Sequence, residues 1–534
     1  MTPSHCFVNL TPLSFLERCG RFHSEQPAVT LPDGPVSFGE LLTRTRRMAA
    51  LLRNLGVAAG DRVGLLSHNS LQSIEAHYAI PAAGAIIVAF NPWLPPADIA
   101  KQLAYSGARV LLVSTQTYQQ FRDILEPAPT GCSIVLLDAE PGASSPSIGL
   151  IDFEAEQYGH AADVPLDRWV QDENAPIAIN FTSGTTGDPK GVMYSHRAAY
   201  LHALGQVMML GLDRQSTYFW SLPMFHVNGW GHMWAAVAAG ARQVVDLDSA
   251  GLNYEHLAQR VAAVGASHMA GAPRIMRYLI APGVPALKGL TVLTGGAAPT
   301  PELVKSAMGL GIELIHQYGL SETFGPFVVC EPRQEWQAAG LDEQVTKRLR
   351  QGIPAVHAGV GLKVVDEAFN EVPWDGSTLG EVVMAGNSLA LGYFNNPEAT
   401  AKAFKNGWFH SGDMAVVHAD GYLELKDRIK DIIYVETAYG WENISSIEIE
   451  QVVGQFPGIQ DVAVIGTRGQ SPLIVAFYER KAGHDIDCDA LGAFCTQTLP
   501  SFKVPAHFLE CALPKTATGK VKKNLLEAQL AERL

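Results

Sequence analysis

Cysteine is scarce in this chain of 534 residues, and no two of its thiols stand at a metal-binding spacing. The seven cysteines are scattered, odd in number and form no CxxC motif. Structural zinc sites and redox motifs need closely spaced thiols, and small disulfide frameworks need a dense, even set. The cysteine pattern therefore argues against these sites and predicts reduced thiols.

Positive charge is also in short supply. The chain carries 39 Lys and Arg residues against 53 Asp and Glu residues, which gives a net charge of −14. Broad nucleic-acid binding requires a basic face that releases counterions from the phosphate backbone. The composition excludes that class of protein and leaves room for a local basic pocket that holds an anionic cofactor.

Long apolar runs are missing as well. The longest, at about 79–90, contains Pro81 and Gly84 and is shorter than the roughly 20 residues that span a bilayer. The first ten residues, MTPSHCFVNL, lack the basic start and apolar run of a signal peptide, and the final Glu-Arg-Leu is not a peroxisomal address. We expect no membrane span and a cytoplasmic location.

Alternating helical and strand patterns fill the first part of the chain. Helices are predicted at 38–55 and 70–83, and strands at 62–66, 86–90 and 110–113. This βαβ rhythm predicts a parallel sheet with helices on both faces. It resumes after Thr217 as a second α/β layer, changes to short strands and turns at 355–425, and ends in an α+β tail. The length also predicts several domains.

The segment 181–197, FTSGTTGDPKGVMYSHR, is the strongest candidate for a binding site. Its glycines let backbone N–H groups face an anion, its hydroxyls add donors, and a lysine adds charge. It does not fit the Walker pattern GxxxxGK[ST]. The sequence predicts a nucleotide phosphate site on a turn between a strand and a helix capped by Ser195. The candidate residues are Thr182, Ser183, Gly184, Thr185, Thr186, Gly187 and Lys190.

Five other segments carry candidate residues that are weak when taken singly. They are LPMFHVNGW (222–230), TGGAAP (294–299), QYGLSET (317–323), GWFHSGD (407–413) and PKTATGK (514–520). A histidine among apolar residues is usually a core residue, and lysines near a C-terminus are usually solvated. A tyrosine can nevertheless stack on a base, and Glu322 can hold a hard cation that bridges phosphates. The charged run KDRIKD (426–431) is typical of a solvated surface.

The order of these motifs along the chain raises their weight. Together they resemble the adenylate-forming superfamily of acyl-CoA synthetases, luciferases and peptide-synthetase adenylation domains, from about residue 38 to residue 526. The segments PMFHVNGWG, LSET and CEPRQEW (330–336) resemble those of fatty-acid and aromatic-acid CoA ligases.

The resemblance implies ATP, Mg²⁺ and coenzyme A as cofactors, with a carboxylic acid activated as an acyl-adenylate. It implies that Lys520 bridges the carboxylate and the α-phosphate, that Glu322 holds Mg²⁺, and that His226 walls the acyl pocket. The acyl pocket would also include Val227, Asn228, Gly229, Trp230 and Gly295. The nucleotide would contact the phosphate segment together with Gly296, Ala297, Ala298, Gln317, Tyr318, Gly319, Thr323, Asp413 and Arg428.

The resemblance also implies the domain organisation. The fold class is α/β, with a large N-terminal domain (1–427) of two α/β subdomains plus a small β-rich subdomain, and a small mobile α+β C-terminal domain (428–534). Lys430 occupies the hinge position, about which the small domain rotates between the two half-reactions. A homodimer is the simplest expectation for the oligomeric state.

One segment departs from the family pattern. Relatives follow the DRxKD run with a short strand and Gly-Gly-Glu-Asn-Ile, whereas this chain reads IIYVETAYGWENI at 432–444. The segment is longer, Trp441 stands where the second glycine belongs, and Tyr439, Gly440 and Glu442 surround it. The change is either a tolerated loop variant or an obstacle to one domain orientation or to ATP.

Several functions remain open at this point. The first is a complete acyl-CoA ligase for a medium-chain, aromatic or polycyclic acid. The second is a specialised ligase that performs mainly one half-reaction, such as thioesterification of a preformed acyl-adenylate; such a chain would resemble ligases of platensimycin-type pathways. An enzyme that loads a carrier-protein thiol, a luciferase-type oxygenase and a non-catalytic acyl-nucleotide binder complete the set. The retained Lys520 and Glu322 argue against the last.

Overall fold

A computed structural model describes residues 6–138, 150–156, 164–182, 190–246, 253–437, 440–467, 473–515 and 521–531. The chain divides into two compact units. The first unit contains residues 1–348, 354–361 and 385–404, and the second contains residues 349–353, 362–384 and 405–534. The predicted domain boundary after residue 427 stays a prediction.

The strands are short and spread along the whole chain. In chain order they are β1 (Pro27–Leu31), β2 (Gly34–Ser37), β3 (Arg62–Leu66), β4 (Ile86–Ala89), β5 (Val110–Val113), β6 (Ser133–Leu136), β7 (Leu150–Asp152), β8 (Pro176–Thr182), β9 (Lys190–Ser195), β10 (Thr217–Trp220), β11 (Arg242–Val245), β12 (His268–Gly271), β13 (Thr291–Thr294), β14 (Glu313–Leu320), β15 (Gly325–Val329), β16 (Ile353–Pro354), β17 (Leu362–Val365), β18 (Gly380–Met384), β19 (Gly392–Tyr393), β20 (Phe404–Lys405), β21 (Trp408–Val417), β22 (Leu423–Arg428), β23 (Ile433–Thr437), β24 (Gly440–Ile444), β25 (Ile459–Gly466), β26 (Ile474–Arg480) and β27 (His507–Glu510).

The helices alternate with these strands. The α-helices are Leu13–Phe22, Phe38–Asn54, Leu71–Ala82, Pro96–Ser106, Thr115–Gln120, Arg122–Leu125, Phe153–Glu156, His196–Leu210, His232–Ala239, Leu257–Ala263, Pro273–Ile280, Pro301–Leu310, Leu341–Arg348, Pro397–Ala403, Ser446–Val453, Cys488–Thr498 and Lys523–Ala531. The short helical turn Val227–Trp230 is left-handed. No described helix combines the length and apolarity needed to cross a membrane.

Two mixed sheets form the frame of the first unit. One contains the strands β15-β14-β13-β12-β10-β11-β1-β2 in that order, with β16 as its ninth strand, and the other has the order β19-β9-β8-β4-β3-β5-β6-β7. The inner strands are parallel, and antiparallel strands lie at the edges, as in the pairs β14–β15 and β8–β9. The two predicted α/β layers are therefore confirmed.

Burial on both faces explains the continuous apolar strands of the second sheet. In β5, Val110 and Leu112 pack into one hydrophobic cluster, whereas Leu111 and Val113 pack into another. Successive residues of a strand point to opposite faces, so a strand covered on both sides needs apolar residues at every position. This is why the run VLLV was recognisable as a strand.

The second unit is built from antiparallel and mixed sheets. Strands β17, β18, β21 and β22 pair in sequence as antiparallel neighbours, and β23 pairs with β24 as a hairpin. Strands β25, β26 and β27 form a further sheet. Its two faces belong to separate hydrophobic clusters, because Val464 and Ala476 lie in one while Ala463 and Val475 lie in the other. The predicted short strands and α+β tail are confirmed.

Buried histidines make the stability of the first unit sensitive to acid. Burial lowers the pKa of the buried His77 and His196 and of the partly exposed His226 and His357 to about 4, and that of the buried His232 to about 3. Each pKa is lower in the folded chain than its ordinary value of 6.5. Between these values the unfolded chain binds more protons, so stability falls as the pH drops through this range.

We predict that the free energy of unfolding, and with it the urea midpoint, falls between about pH 7.5 and about pH 5. The loss of free energy should be roughly 1 kcal/mol or more for each buried histidine. Glu75 acts in the opposite direction, since burial raises its pKa to about 7 despite its ion pair with Arg44. Denaturation followed by tryptophan fluorescence tests the prediction. A midpoint that stays constant or rises with acidification would contradict it.

Candidate functional site

The glycine-rich segment connects two antiparallel strands. Thr182, the last residue of β8, pairs with Lys190, the first residue of β9, and residues 183–189 lie outside the described part of the chain. The predicted direct turn from strand to helix is wrong. The helix His196–Leu210 begins only after β9, where the Ser195 hydroxyl accepts a hydrogen bond from the N–H of Ala198 at 3.0 Å. The cap itself is as predicted.

Because β9 lies between the glycine-rich segment and the helix in the chain, the helix N-terminus cannot be assumed to contribute to the phosphate site. The five residue-to-residue steps of β9 place the helix N-terminus roughly 17 Å along the strand from Lys190. The helix dipole acts only within the first turn, so it does not reach Lys190. An anion there would depend on the segment's own N–H groups and hydroxyls and on Lys190.

Glu322 and Lys190 meet at the side chain of Tyr393. The Tyr393 hydroxyl donates a hydrogen bond to Oε1 of Glu322 at 2.7 Å. The Nζ atom of Lys190 lies 5.0 Å from the centroid of the same ring. The structure therefore brings together two predicted site residues that are 132 positions apart. Sequence reasoning missed Tyr393, because only the pairing of β19 with β9 places it here.

A short turn holds Glu322 at the end of β14. This strand extends to Leu320, because its last residues pair with β15. The Thr323 hydroxyl accepts from the N–H of Leu320 at 2.8 Å and donates to the carbonyl of Gly325 at 2.7 Å. The carbonyl of Glu322 accepts from the N–H of Ala390 at 2.8 Å. The backbone around the carboxylate is thus fixed.

The carboxyl end of β13 lies beside β14 and offers an open edge. Gly296 and Ala297 are exposed, and a Cβ atom added at Gly296 would meet no described atom within 4 Å. A Cβ atom at Gly295 would lie 2.0 Å from Nε2 of Gln317, so that side chain covers this glycine closely. Ala298, which is partly exposed, continues the edge.

This edge fits a planar base. Among the described residues, the buried Oε1 of Gln317 and Oγ1 of Thr294 have no hydrogen-bond partner. Tyr318 is buried on the neighbouring strand β14. On that strand, His316 pairs with Thr294 of β13. Gly319 permits the tight pairing with β15, since a Cβ atom there would lie 1.8 Å from the carbonyl oxygen of Gly325. Clefts at the carboxyl ends of parallel strands are where α/β proteins bind ligands.

Two buried asparagines hold the segment that leads to His226. The Asn69 side chain donates to the carbonyl of Leu222 at 2.9 Å and accepts from the N–H of Met224 at 2.8 Å. The Asn180 side chain donates to the carbonyl of Phe225 at 3.0 Å. These asparagines were not predicted, because their partners lie more than 40 residues away in sequence.

The predicted acyl-pocket residues form a left-handed turn. The φ angles of Val227, Asn228, Gly229 and Trp230 are 49°, 50°, 58° and 54°. Gly229 is required, since a Cβ atom would lie 2.6 Å from the ring of Trp220. A β-branched residue rarely adopts this conformation, and such strain concentrates at functional sites. Within the described structure, neither side-chain polar atom of Asn228 has a hydrogen-bond partner, although the residue is fully buried.

His226 lies at the start of this turn and is partly exposed. Burial of its ring lowers its pKa to about 4. The imidazole is therefore neutral near pH 7, so it offers a substrate a hydrogen bond and an apolar face but no positive charge.

Two of the predicted nucleotide contacts, Asp413 and Arg428, belong to the second unit. Asp413 of β21 is directly opposite Arg428 of β22, and Nε of Arg428 lies 3.0 Å from Oδ1 of Asp413. Lys430 follows in a turn, with its Nζ atom 3.7 Å from Oδ1 of Asp431. The structure thus places Asp413 and Arg428 side by side and Lys430 two residues beyond them.

The segment that departs from the family pattern is a β-hairpin. Glu436 pairs with Trp441, and Thr437 pairs with Gly440. Residue 438 and Tyr439, which connect the strands, lie outside the described residues, as do the side chains of Trp441 and Glu442. The additional residues therefore lengthen two paired strands, and the effect of Trp441 on catalysis stays a prediction.

Lys520 also lies outside the described residues. Ion pairs anchor the chain on both sides of it. Nζ of Lys515 lies 2.6 Å from Oε2 of Glu479 and 2.9 Å from Oδ2 of Asp461, and Nζ of Lys523 lies 2.7 Å from Oε1 of Glu450.

The Glu322 position suits a magnesium ion that is shared with substrate phosphates, not a metal ion that protein side chains hold alone. In the part of the chain that is described, no group of three or more His, Cys, Asp or Glu side chains is able to hold a metal ion. Magnesium in phosphoryl-transfer sites is bound by one or two carboxylates together with substrate phosphates and water. A single partly exposed carboxylate beside a lysine is compatible with that arrangement.

Comparison with known proteins gives a consistent result. The family profile described as "AMP-binding enzyme" matches residues 15–394, and "AMP-binding enzyme C-terminal domain" matches residues 448–520. The chain is 35% identical to 4-hydroxybutyrate–CoA ligase 2 of Metallosphaera sedula over 528 residues, which cover 97% of this chain and 94% of that protein. It is also 35% identical to the peroxisomal trans-cinnamate:CoA ligase of Petunia hybrida, covering 97% and 93%.

Solved structures share the fold. An anthranilate CoA ligase in complex with anthranoyl-AMP superposes with a TM-score of 0.86 at 24% identity, with each chain covered completely. A benzoate CoA ligase from Burkholderia xenovorans LB400 gives a TM-score of 0.81 at 23% identity, covering 97% of this chain and 99% of the other. The predicted large N-terminal and small C-terminal domains match this architecture.

Proposed function

The chain belongs to the AMP-binding enzyme family, and on that premise we propose that it is an AMP-forming acyl-CoA ligase. The observation that carries the proposal is the meeting of Lys190, Tyr393 and Glu322 at the strand that follows the glycine-rich segment. A phosphate-binding cation and a metal-binding carboxylate at one place are what ATP with Mg²⁺ requires. Full-length relatives named as CoA ligases support the same conclusion.

The proposed reaction has two steps. A carboxylate oxygen of the acid attacks the α-phosphorus of ATP, and the bond from that phosphorus to the bridging oxygen of pyrophosphate breaks. The acyl-adenylate that results carries AMP as a leaving group. The sulfur of coenzyme A then attacks the acyl carbon, the bond from carbon to the AMP oxygen breaks, and the thiol proton passes to solvent.

The residues of the first unit divide the work of holding ATP. Lys190 and the glycine-rich segment would bind the β- and γ-phosphates, and the edge formed by Gly296, Ala297 and Ala298 would face the adenine. Magnesium, when bound at Glu322, supplies positive charge to phosphate oxygens. The pairing of β14 with β13 and β15 fixes the position of Tyr318 and of the turn that carries Glu322.

Residues of the second unit have proposed roles of their own. Asp413 accepts hydrogen bonds through its carboxylate and so suits a ribose diol, while Arg428 keeps it oriented. Lys520 would neutralise charge on the carboxylate and α-phosphate oxygens as the new bond forms. Rotation at Lys430 between the two steps belongs to the same proposal.

The acid is proposed to be a medium-chain, aromatic or polycyclic carboxylic acid. A neutral His226 and the apolar residues Val227 and Trp230 suit an uncharged acyl group. Of the two relatives, one is named for trans-cinnamate, an aromatic acid of the proposed class, and the other for 4-hydroxybutyrate, a shorter acid. We further propose a cytoplasmic location and a homodimer.

The test separates the two half-reactions. A panel of carboxylic acids is screened for pyrophosphate release with ATP and Mg²⁺, and each synthetic acyl-adenylate is screened for thioester formation with coenzyme A. Acid-dependent activity in both assays supports a complete ligase. Activity in only one of the two assays supports the specialised enzyme that performs mainly one half-reaction. Activity in neither assay contradicts the proposal.

A further inference from the structure

Tyr393 lies on the same face of its sheet as the lysine of the glycine-rich segment. β19 is antiparallel to β9, and Tyr393 is directly opposite Val192. Paired residues point to the same side, and alternate residues of a strand share a face. Lys190, Val192 and Tyr194 therefore lie on one face of β9, with Tyr393 beside them.

The two ends of the Tyr393 side chain have different contacts. Its hydroxyl donates to Oε1 of Glu322 at 2.7 Å, and its ring lies 5.0 Å from the ammonium nitrogen of Lys190. Among the described residues, Oε2 of Glu322 receives no hydrogen bond. In the described part of the chain, one carboxylate oxygen therefore has a hydrogen-bond donor and the other has none.

We propose that Tyr393 is a positioning residue that directs the Glu322 carboxylate toward the magnesium ion of the nucleotide and holds Lys190 at the phosphates. The proposal rests on the proposed function, since it concerns the same ATP site. A phenol suits the role because it fixes the carboxylate by a hydrogen bond without neutralising it. Arginine or lysine in that place would compete with the metal for the negative charge.

Two substitutions separate the two contacts. Tyr393→Phe keeps the ring beneath Lys190 and removes only the hydrogen bond to Glu322. Tyr393→Leu removes both. The measurement is equilibrium binding of ATP by calorimetry, with no acid or coenzyme A present, across a titration of MgCl₂ and again in excess EDTA.

For Tyr393→Phe we expect a half-saturating Mg²⁺ concentration about tenfold higher, with unchanged affinity for ATP in EDTA. For Tyr393→Leu we expect the same loss of metal response and, in addition, an affinity for ATP in EDTA about two- to fivefold weaker, because the ammonium has lost its aromatic contact. A purely structural role would weaken binding equally with and without the metal.

Tyr194→Phe is the matched control. The Tyr194 hydroxyl donates to the carbonyl of Ser321 at 2.8 Å, so this variant also removes one tyrosine hydroxyl from the turn that carries Glu322. It leaves the carboxylate's own donor in place. We expect its Mg²⁺ response to equal that of the wild type.

Four results decide the matter. A Mg²⁺ response in Tyr393→Phe equal to the wild type overturns the inference, and so does an equal shift in Tyr393→Phe and Tyr194→Phe. Wild-type protein that binds no ATP at any Mg²⁺ concentration contradicts the proposed function itself. The selective shift in Tyr393→Phe supports both.

Discussion

Lys520→Ala is expected to lower adenylate formation about 100- to 1,000-fold while leaving thioester formation from supplied acyl-adenylate within about threefold of the wild type. The attack of a carboxylate on the α-phosphate joins two anionic groups. An ammonium that bridges their oxygens acts where charge develops, so its removal raises the barrier of that step. The second half-reaction needs no such bridge, because AMP is already attached.

Pyrophosphate release and thioester formation are measured separately with the same enzyme preparation. Lys522→Ala is the matched control, since it removes an exposed lysine two residues away and should leave both rates unchanged. If Lys520→Ala lowered the rates of both half-reactions equally, the lysine would be needed for folding or for binding the acyl group, and not specifically for adenylation.

Glu322→Gln is expected to lower ATP-dependent adenylation on the order of 100-fold. Glutamine keeps the size of the side chain, and its amide oxygen can still accept from Tyr393, so the fold should be preserved. The lost negative charge weakens magnesium binding, because Mg²⁺ prefers carboxylate oxygen. Thioester formation from supplied adenylate should change little.

The measurement is the rate of pyrophosphate release as a function of Mg²⁺ concentration. Saturation should move to higher Mg²⁺ in Glu322→Gln but not in Glu302→Gln, which alters an exposed carboxylate of the same unit. A normal rate with a normal Mg²⁺ response would remove Glu322 from the metal site.

The pattern of apolar residues in the sequence correctly predicted parallel strands of the core. Strands β3 and β5 begin and end at the predicted residues, because sheets buried on both faces require uninterrupted apolar runs bounded by turns. The helix cap at Ser195 was also predictable from local chemistry. Such features depend on residues that are close in sequence.

Features fixed by distant pairing were not predictable. Residues Lys190–Ser195 were expected to form part of a turn, but antiparallel contact with β8 makes them a strand. Tyr393 gave no chemical signal in its own segment, and its role follows only from the pairing of β19 with β9. The left-handed turn at Val227–Trp230 likewise depends on tertiary packing, since Val and Trp do not favour it locally.

Oxygen transfer tests the central claim, activation of a carboxylic acid by adenylation, most directly. An acid that the panel identifies as a substrate is labelled with oxygen-18 in its carboxylate and turned over with ATP, Mg²⁺ and coenzyme A. Mass spectrometry of the products should find one labelled oxygen in the phosphate of each AMP. Label in orthophosphate, or unlabelled AMP beside a formed thioester, would contradict an acyl-adenylate intermediate.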